Sequence, residues 1–530
     1  MRSGPIDLDF DPNQLFQQGI NLLNQEKYSE SKIAFDKLLG HFSKNTDLLN
    51  IVGFINMQLN LFNESIEVYS LSLNIKPNQL EALFNRAIVF SKLKKYKLSI
   101  TDYESILKID SQNIGSLINL SAIYEDLGEF DKALIEINKA IMLNPKNHTL
   151  LANRGNIKQS FFDYLGAYED YSLALKLSPN NPDLYISIGN IHKQLKNFDK
   201  AEDAFLKAIN INPESNAARY NYSLFLLYQK RYDKGWDYCE HRDFEKKSIG
   251  FLNNIKNIID FDQKKNILIW AEQGIGDQIL YSSIFSDLKS YKNITVALDK
   301  RLISIYERSF SFLKFLDIKK IVNPENQYDL QIPIGSLGKY FRNAINKFKS
   351  QPKFFLKTDA AKVEVIKQKF FQSGRKKIGL AWRSKNKKIG HAKSMNLLEL
   401  SELFKLKGLD FFDLQYGNTD FEKLEIEKKL GVQIHTLSNL DKFNDLEGML
   451  NLIEACDCIV TTSNVTAHLA GAIGKKTYLL APYGIGNIWY WHDDKISLWY
   501  PSIEIIRQTE TNNWCEATSE LVIRIKSNFL

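Results

Sequence analysis

GNIHKQLKNFDKAEDAFLKAININPES, residues 189–215, decides the reading of the first half of the chain. A small residue, Gly189, is followed by the aromatic Phe198, then by Ala201, a second aromatic at Phe205 and a proline at Pro213. The first of these aromatics recurs at an unbroken interval of 34, as Tyr28, Phe62, Tyr96, Phe130, Tyr164, Phe198 and Tyr232. Three positions beyond each stands Ser31, Ser65, Ser99, Ala133, Ala167, Ala201 or Gly235. An aromatic before a small residue at this period is the signature of stacked helix–turn–helix units. Each unit leaves an apolar face uncovered until a neighbour packs on it, so the array builds one continuous core and one long groove.

Other columns of the frame agree. Gly19, Gly53, Ala87, Ser121, Gly155, Gly189 and Ser223 fall where the two helices of a unit press closest. Phe35, Tyr69, Tyr103, Ile137, Tyr171, Phe205 and Cys239 fill the gap between units. Pro77, Pro145, Pro179 and Pro213 stand where a helix must stop, since proline lacks the N–H that would continue it. These columns resemble the tetratricopeptide repeat, with seven repeats over residues 12–249. Asn85, Asn119, Asn153 and Asn221 share one further column, with Gln17 and Ser187 in two of its other places. It lies on the first helix of each unit, the helix that lines the inner groove. Carboxamides so spaced can bond an extended peptide backbone, or they can bond the neighbouring unit. The ladder is similar to that in the superhelix of O-linked N-acetylglucosamine transferases, which implies a protein or peptide partner in the groove.

A chain of 530 residues is too long for one core and calls for two or three domains. Its 25% charged and 44% hydrophobic residues are globular composition, which excludes a disordered chain. The net charge of +7 fits an anionic partner such as a nucleotide sugar, or simply a lysine-rich solvated surface. No basic helix concentrates it, so nucleic acid is not expected. Four cysteines without paired CxxC motifs give no disulfide framework and point to a reducing compartment. The opening MRSGPIDLDF has neither a basic n-region nor an apolar h-region, and no apolar run is long enough to cross a bilayer. A cytoplasmic protein is the expectation.

After a linker at 250–264 the periodicity changes. The triplet Asp260-Phe261-Asp262 within it could suggest a metal-bound nucleotide sugar, but in a linker it reads as coincidence. Apolar runs at 266–270, 294–298, 378–382, 409–414, 458–462, 477–481 and 503–506 alternate with helix-length segments such as 277–290, 397–406, 419–429 and 465–473. Short buried strands alternating with helices predict parallel sheets covered on both faces. A charged helix over 358–376 divides the region into halves at 265–357 and 374–530, the latter closing with a helix. Ligands of such sheets bind at the carboxyl ends of the strands.

The loops there carry the chemistry. Ala271 to Asp277 (AEQGIGD) opens a helix; Gly274 and Gly276 permit a sharp turn with free N–H groups, and Asp277 or Glu272 can act as a base or orient a hydroxyl. The rival is a dinucleotide fingerprint with Asp299 as the ribose contact. It lacks its third glycine, replaced by Ile279, and Glu272 would crowd a pyrophosphate. Arg383, Ser384 and Lys385 make a cationic loop suited to a departing diphosphate. Ser463 or Asn464 caps a helix start with His468 in its first turns. Tyr483 and Gly484 begin a loop, PYGIGNIWYW, whose aromatics can stack on a base or sugar ring.

Together WAEQGIGD, GLAWRSK, SNVTAHLAGAIG, LLAPYGIGNIWYW and WYPSIEIIRQ resemble the catalytic part of repeat-containing glycosyltransferases of the heptosyltransferase-like group. YDKGWDYCEHR, 232–242, resembles the element that joins array to enzyme there. The resemblance implies an α-helical superhelix followed by a GT-B fold of two Rossmann-like parallel-sheet domains, acceptor half first and donor half second. It implies transfer of a sugar from a nucleotide donor to a hydroxyl by single displacement with inversion, needing no metal and no cofactor. Asp277, or Glu272, would be the base. Arg383, Ser384, Lys385, Ser463, Asn464, His468, Tyr483, Gly484 and the loop glycines Gly274 and Gly276 would hold the donor. Many heptosyltransferases have an acidic residue and then Thr-Gly where this chain has Ser463 and Asn464, which leaves sugar and nucleotide open. A glycan or lipid-linked acceptor, and a non-catalytic repeat scaffold, are the alternatives.

Overall fold

The computed structural model describes residues 11–242, 251, 254, 261, 265–370, 373–386 and 389–530. The chain divides into two compact units, Met1–Asn180 and Asn181–Leu530. Asp260, Asp262, Lys387, Lys388 and most of the expected linker lie outside the described residues.

The first unit is helical. α1 (Pro12–Asn24) pairs with α2 (Tyr28–His41), α3 (Thr46–Gln58) with α4 (Phe62–Ile75), and α5 (Leu80–Lys92) with α6 (Tyr96–Ile109). α7 (Ile114–Asp126) with α8 (Phe130–Leu143) and α9 (His148–Ser160) with α10 (Tyr164–Leu177) complete it. The glycine column does what its spacing predicts. A Cβ on Gly19, Gly53 or Gly155 would stand 2.7 Å from the ring of Phe35, Tyr69 or Tyr171 on the second helix of the same pair. The small-residue column has a second use. Ser31, Ser65 and Ser99 donate to the carbonyls of Gly19, Gly53 and Ala87 at 2.9, 2.7 and 2.7 Å, which pins one helix to the other.

Two further columns emerge from the backbone. Asp11, Asn45, Asn113 and Asn147 cap first helices through side chains that accept backbone N–H groups. The turn inside each pair takes one left-handed residue, Glu26, Asn60, Lys94, Gly128 and Phe162 in succession, all with φ between 58° and 76°. The asparagine column is half-buried. Asn85 lies against the Tyr69 phenol and Asn119 against that of Tyr103, so two of its members face the preceding pair.

The second unit begins with two more helix pairs, α11 (Pro182–Gln194) with α12 (Phe198–Ile211) and α13 (Asn216–Tyr228) with α14 (Tyr232–Cys239). Residues 181–239, grouped with the array by period, thus pack with the α/β region. A four-stranded sheet follows, from β1 (Ile267–Trp270), β2 (Ile294–Leu298), β3 (Lys314–Asp317) and β4 (Leu330–Pro333) in the order β3-β2-β1-β4. α15 (Ile275–Ser282), α16 (Ile303–Ser309) and α17 (Leu337–Phe341) accompany it, and α18 (Ala360–Phe370) lies between the two sheet regions in sequence. The second sheet has β5 (Lys376–Ala381), β6 (Leu409–Asp413), β7 (Ile434–His435), β8 (Cys458–Thr462), β9 (Thr477–Ala481) and β10 (Ile503–Arg507), in the order β10-β9-β8-β5-β6-β7. Its helices are α19 (Ser401–Phe404), α20 (Asp420–Leu430), α21 (Leu446–Ala455), α22 (Val465–Ala472) and α23 (Cys515–Phe529).

Among the described residues every pairing between these strands is parallel, with an isolated antiparallel bridge from Ile496 to Glu504 of β10. All seven strands expected from apolar runs are present; β3, β4 and β7 escape that criterion. Each of these three is an edge strand, bonded on one side only. An edge strand needs no continuous apolar run, and β4 can end in Pro333. Chain order reverses between β1 and β4 and between β5 and β8, so the crevices that ligands use lie at the carboxyl ends of those strands.

The helix pair before the sheets is wedged into this unit. Trp236 is fully buried, its Nε1 donates to the Arg342 carbonyl at 2.9 Å, and a Cβ on Gly338 would collide with its ring at 2.3 Å. The same core holds Leu227, Tyr232 and Cys239 beside strands of both sheets.

Candidate functional site

A cavity of about 580 Å³ opens at the carboxyl ends of β1, β5 and β8. β1 ends at Trp270 and the chain turns through Gly274 into α15, which sets Asp277 in the first turn. The N–H groups of Gly274 and Asp277 donate to the Asp277 carboxylate. Burial, and after it the charge of Glu272, raise that carboxyl, Lys393 pulls against both, and the net is about 6.

Lys393 belongs to a short 3-10 turn in the loop after β5 and is 5% exposed. Its alkyl stem packs on Gly486, where φ is +92° and a Cβ would stand 2.9 Å from the lysine Cγ. Burial lowers its ammonium to about 8, against the pull of Asp277. His468 closes the floor. Its Nδ1 meets the Tyr500 hydroxyl at 2.9 Å, its Nε2 the Tyr490 hydroxyl at 3.3 Å, and burial takes its pKa to about 3, so the ring stays neutral. Gly276 faces this ring: a Cβ there would lie 2.9 Å from His468 Cδ2.

Gly274, Gly276, Asp277, Ser384, Ser463, Asn464 and His468 therefore line one cavity. Ser463 and Asn464 reach it with side chains already bonded. Ser463 Oγ accepts from Trp491 Nε1 at 2.9 Å, and Asn464 caps α22 while donating to the Arg383 carbonyl at 3.2 Å. The backbone of the α22 start is what they offer a ligand.

Glu272 lines the cavity too and is tethered through one oxygen: its Oε1 accepts from Arg242 at 3.0 Å and from the Gly335 N–H at 3.2 Å, with both charged side chains 3% exposed, while its Oε2 is buried without a hydrogen-bond partner. Four expectations are corrected. Arg383 lies outside the cavity lining because its guanidinium pairs with Glu422 at 3.0 Å and donates to the Asn418 carbonyl at 2.9 Å. Lys385 sits over the Tyr416 ring at 5.4 Å, and Asn386 lines the cavity in its stead. Tyr483 and Gly484 line a separate small hollow. In the second unit Asn221 is spent within the helices, accepting from Asn190 at 3.2 Å and donating to the Ala217 carbonyl at 2.9 Å.

Sequence reasoning missed Lys393, Arg242 and Tyr220. Lys393 ends a lysine-rich segment in which no spacing distinguishes it. Arg242 closes the YDKGWDYCEHR element, the one signal that could have marked it. Tyr220 and Leu224, four apart on α13, carry the cavity wall onto the helical part, next to Ile488 and Trp489.

Family models of the tetratricopeptide repeat match residues 80–113, 114–147 and 182–215. The chain carries tetratricopeptide repeats. Among curated proteins, FlbA of Caulobacter vibrioides is 25% identical over 268 residues, 47% of this chain and 44% of FlbA, so the match spans less than half of that relative's length. Among solved structures, a tetratricopeptide repeat protein from Parabacteroides merdae superposes with a TM-score of 0.41 at 14% identity, covering 45% of this chain and 95% of that one. YrrB, described as a repeat protein with an unusual peptide-binding site, gives 0.30 at 18% identity over 36% and 98% of the two chains. The tetratricopeptide match accounts for the helical repeats. Among the described residues no helix is long and apolar enough to cross a membrane.

Proposed function

We propose that the chain is a glycosyltransferase of GT-B type that moves a sugar from a nucleotide donor to a hydroxyl, with its tetratricopeptide repeats holding a protein partner. The observation that carries this reading is the pairing of Asp277 and Lys393 across one cavity at the switch points of two parallel sheets. Asp277, raised to about 6, is a carboxylate at neutral pH with enough basicity to take a proton from an acceptor hydroxyl. Lys393, with the α22 start, Ser384 and Asn386, faces the negative charge that grows on a departing diphosphate. The acceptor oxygen attacks the anomeric carbon as the bond to the diphosphate breaks. Neutral His468 and the aromatic residues around it exclude water, which would otherwise hydrolyse the donor.

Lys393 takes the role expected of Arg383 and Lys385, and Glu272 supports the loop that carries Asp277. Calorimetric titration of nucleoside diphosphates tests the assignment. Lys393→Met should weaken binding by about tenfold or more, the worth of one charge-assisted contact, whereas Arg383→Met should leave it unchanged. Equal losses in the two variants would reject Lys393 as the diphosphate contact. Activity should follow a bell in pH, rising through about 6 as Asp277 ionises and falling through about 8 as Lys393 loses its proton. The limbs are properties of the coupled pair. A kcat/KM flat from pH 5 to 9 would exclude both groups from the rate-limiting chemistry.

A further inference from the structure

Outside the cavity, a second hollow of about 40 Å³ lies among α11, α13, the loop after β9 and the end of β10. Lys193, in the last turn of α11, lines it. In the 34-residue frame Lys193 shares a column with Leu23, Met57, Ser91, Glu125, Gln159 and Leu227, of which Met57 and Leu227 are buried and the others half-buried. Lys193 is itself half-buried there and faces the loop after β9. Burial is the sole influence on its ammonium, which falls to about 8 with no carboxylate to hold it up.

Arg507 faces the same hollow. One terminal nitrogen donates to Asn487 Oδ1 at 3.1 Å and the other to the carbonyls of Trp491, at 2.9 Å, and His492. Its Nε is buried without a hydrogen bond, 3.9 Å from Asp493. Asp493 is also shared with Lys196 at 3.4 Å. Three cations and one carboxylate thus line the hollow, with Lys196 49% exposed and Asp494 adding a second negative charge felt by Arg507. A cation withdrawn from water without a full complement of partners is destabilised, and a bound anion would supply the missing partner.

We propose that this hollow is a binding site for a small free oxyanion, a phosphate or a carboxylate, held between Lys193 Nζ and Arg507 Nε. Its size excludes a larger ligand. Bound there, the anion would fix the segment from Tyr483 to Asp493 onto α11. The other side of that segment supplies Ile488, Trp489 and Tyr490 to the main cavity. The assignment of the hollow does not depend on the transferase reading.

Calorimetric titration of the full chain with inorganic phosphate, and separately with acetate, tests it. The comparison is with Lys193→Met and Lys193→Gln, residues that other repeats carry in this column, and with Lys393→Met in the main cavity. At least one anion should bind the unaltered chain and the Lys393→Met chain alike. Its Kd should rise about tenfold or more in each folded Lys193 variant, the loss of one charge-assisted hydrogen bond. Circular-dichroism melting identifies a variant that fails to fold, and the other then decides. Absence of binding by both anions, or unchanged binding in the Lys193 variants, overturns the proposal. If binding disappears in Lys393→Met alone, the anion belongs to the main cavity, and the transferase reading survives without this site.

Discussion

Asp277 leaves the unfolded chain with a carboxyl near 3.8 and sits in the fold near 6, chiefly because burial penalises its charge. Between those values the folded state holds a proton that the unfolded state has released, so stability falls as pH rises through the window and the full penalty stands above about 6. Asp277→Asn removes it. The variant should gain about 1–3 kcal/mol at pH 7.5 and little at pH 4, by urea unfolding at the two pH values; an equal change at both would mean that the carboxyl is not raised. Gly276 is fixed by its neighbour. Gly276→Ala places a methyl 2.9 Å from the His468 ring, an overpacking that should cost about 1–3 kcal/mol in the same measurement. Asp277 was legible in the sequence because the glycine turn and the helix start are local. Arg383 misled for the opposite reason: its backbone follows a buried strand as expected, but its side chain is captured by Glu422 on α20, a partner remote in sequence.

At the scale of elements, the repeat was readable because its period fixes each column. The turns hold what composition hides. Lys94 adopts φ 59° where Gly128, one repeat later, needs no accommodation, and a left-handed conformation costs an L-residue about 1–2 kcal/mol. Glycine's larger unfolded entropy offsets part of that, so Lys94→Gly should stabilise the first unit by up to about 1 kcal/mol. Asn147→Ala should destabilise it by about 1 kcal/mol through loss of the cap to the Thr149 and Leu150 N–H groups. Thermal unfolding of single variants reads both, and a destabilising glycine at 94 would show that the lysine side chain supports the turn. The edge strands β3 and β7 were invisible because they are short and partly exposed, with no apolar run to detect.

For the whole molecule, what counts is how the helical and α/β parts of the second unit share one core. Trp236 and the Arg242–Glu272 pair carry that junction. Arg242→Met strands a buried carboxylate and should cost about 3–5 kcal/mol, while Arg242→Met with Glu272→Met should recover most of it; thermal unfolding of the two variants checks the difference. The sequence placed chemistry in loops after four strands, and all four of those loops meet in the cavity, the last through Ile488, Trp489 and Tyr490 rather than through Tyr483 and Gly484. It could not foresee that Tyr220 would enter from a helix more than forty residues upstream of β1, or that Lys393 would be the lysine turned inward, since both follow from the path of the fold. The transferase account rests on Asp277 acting as a base opposite a held donor. Its most direct test is the turnover of a panel of nucleotide sugars by the unaltered chain and by Asp277→Asn, with donor affinity measured in parallel. The account predicts one donor bound equally by both and turned over about a hundredfold or more slowly by the variant; equal turnover, or no donor bound by either, would contradict it.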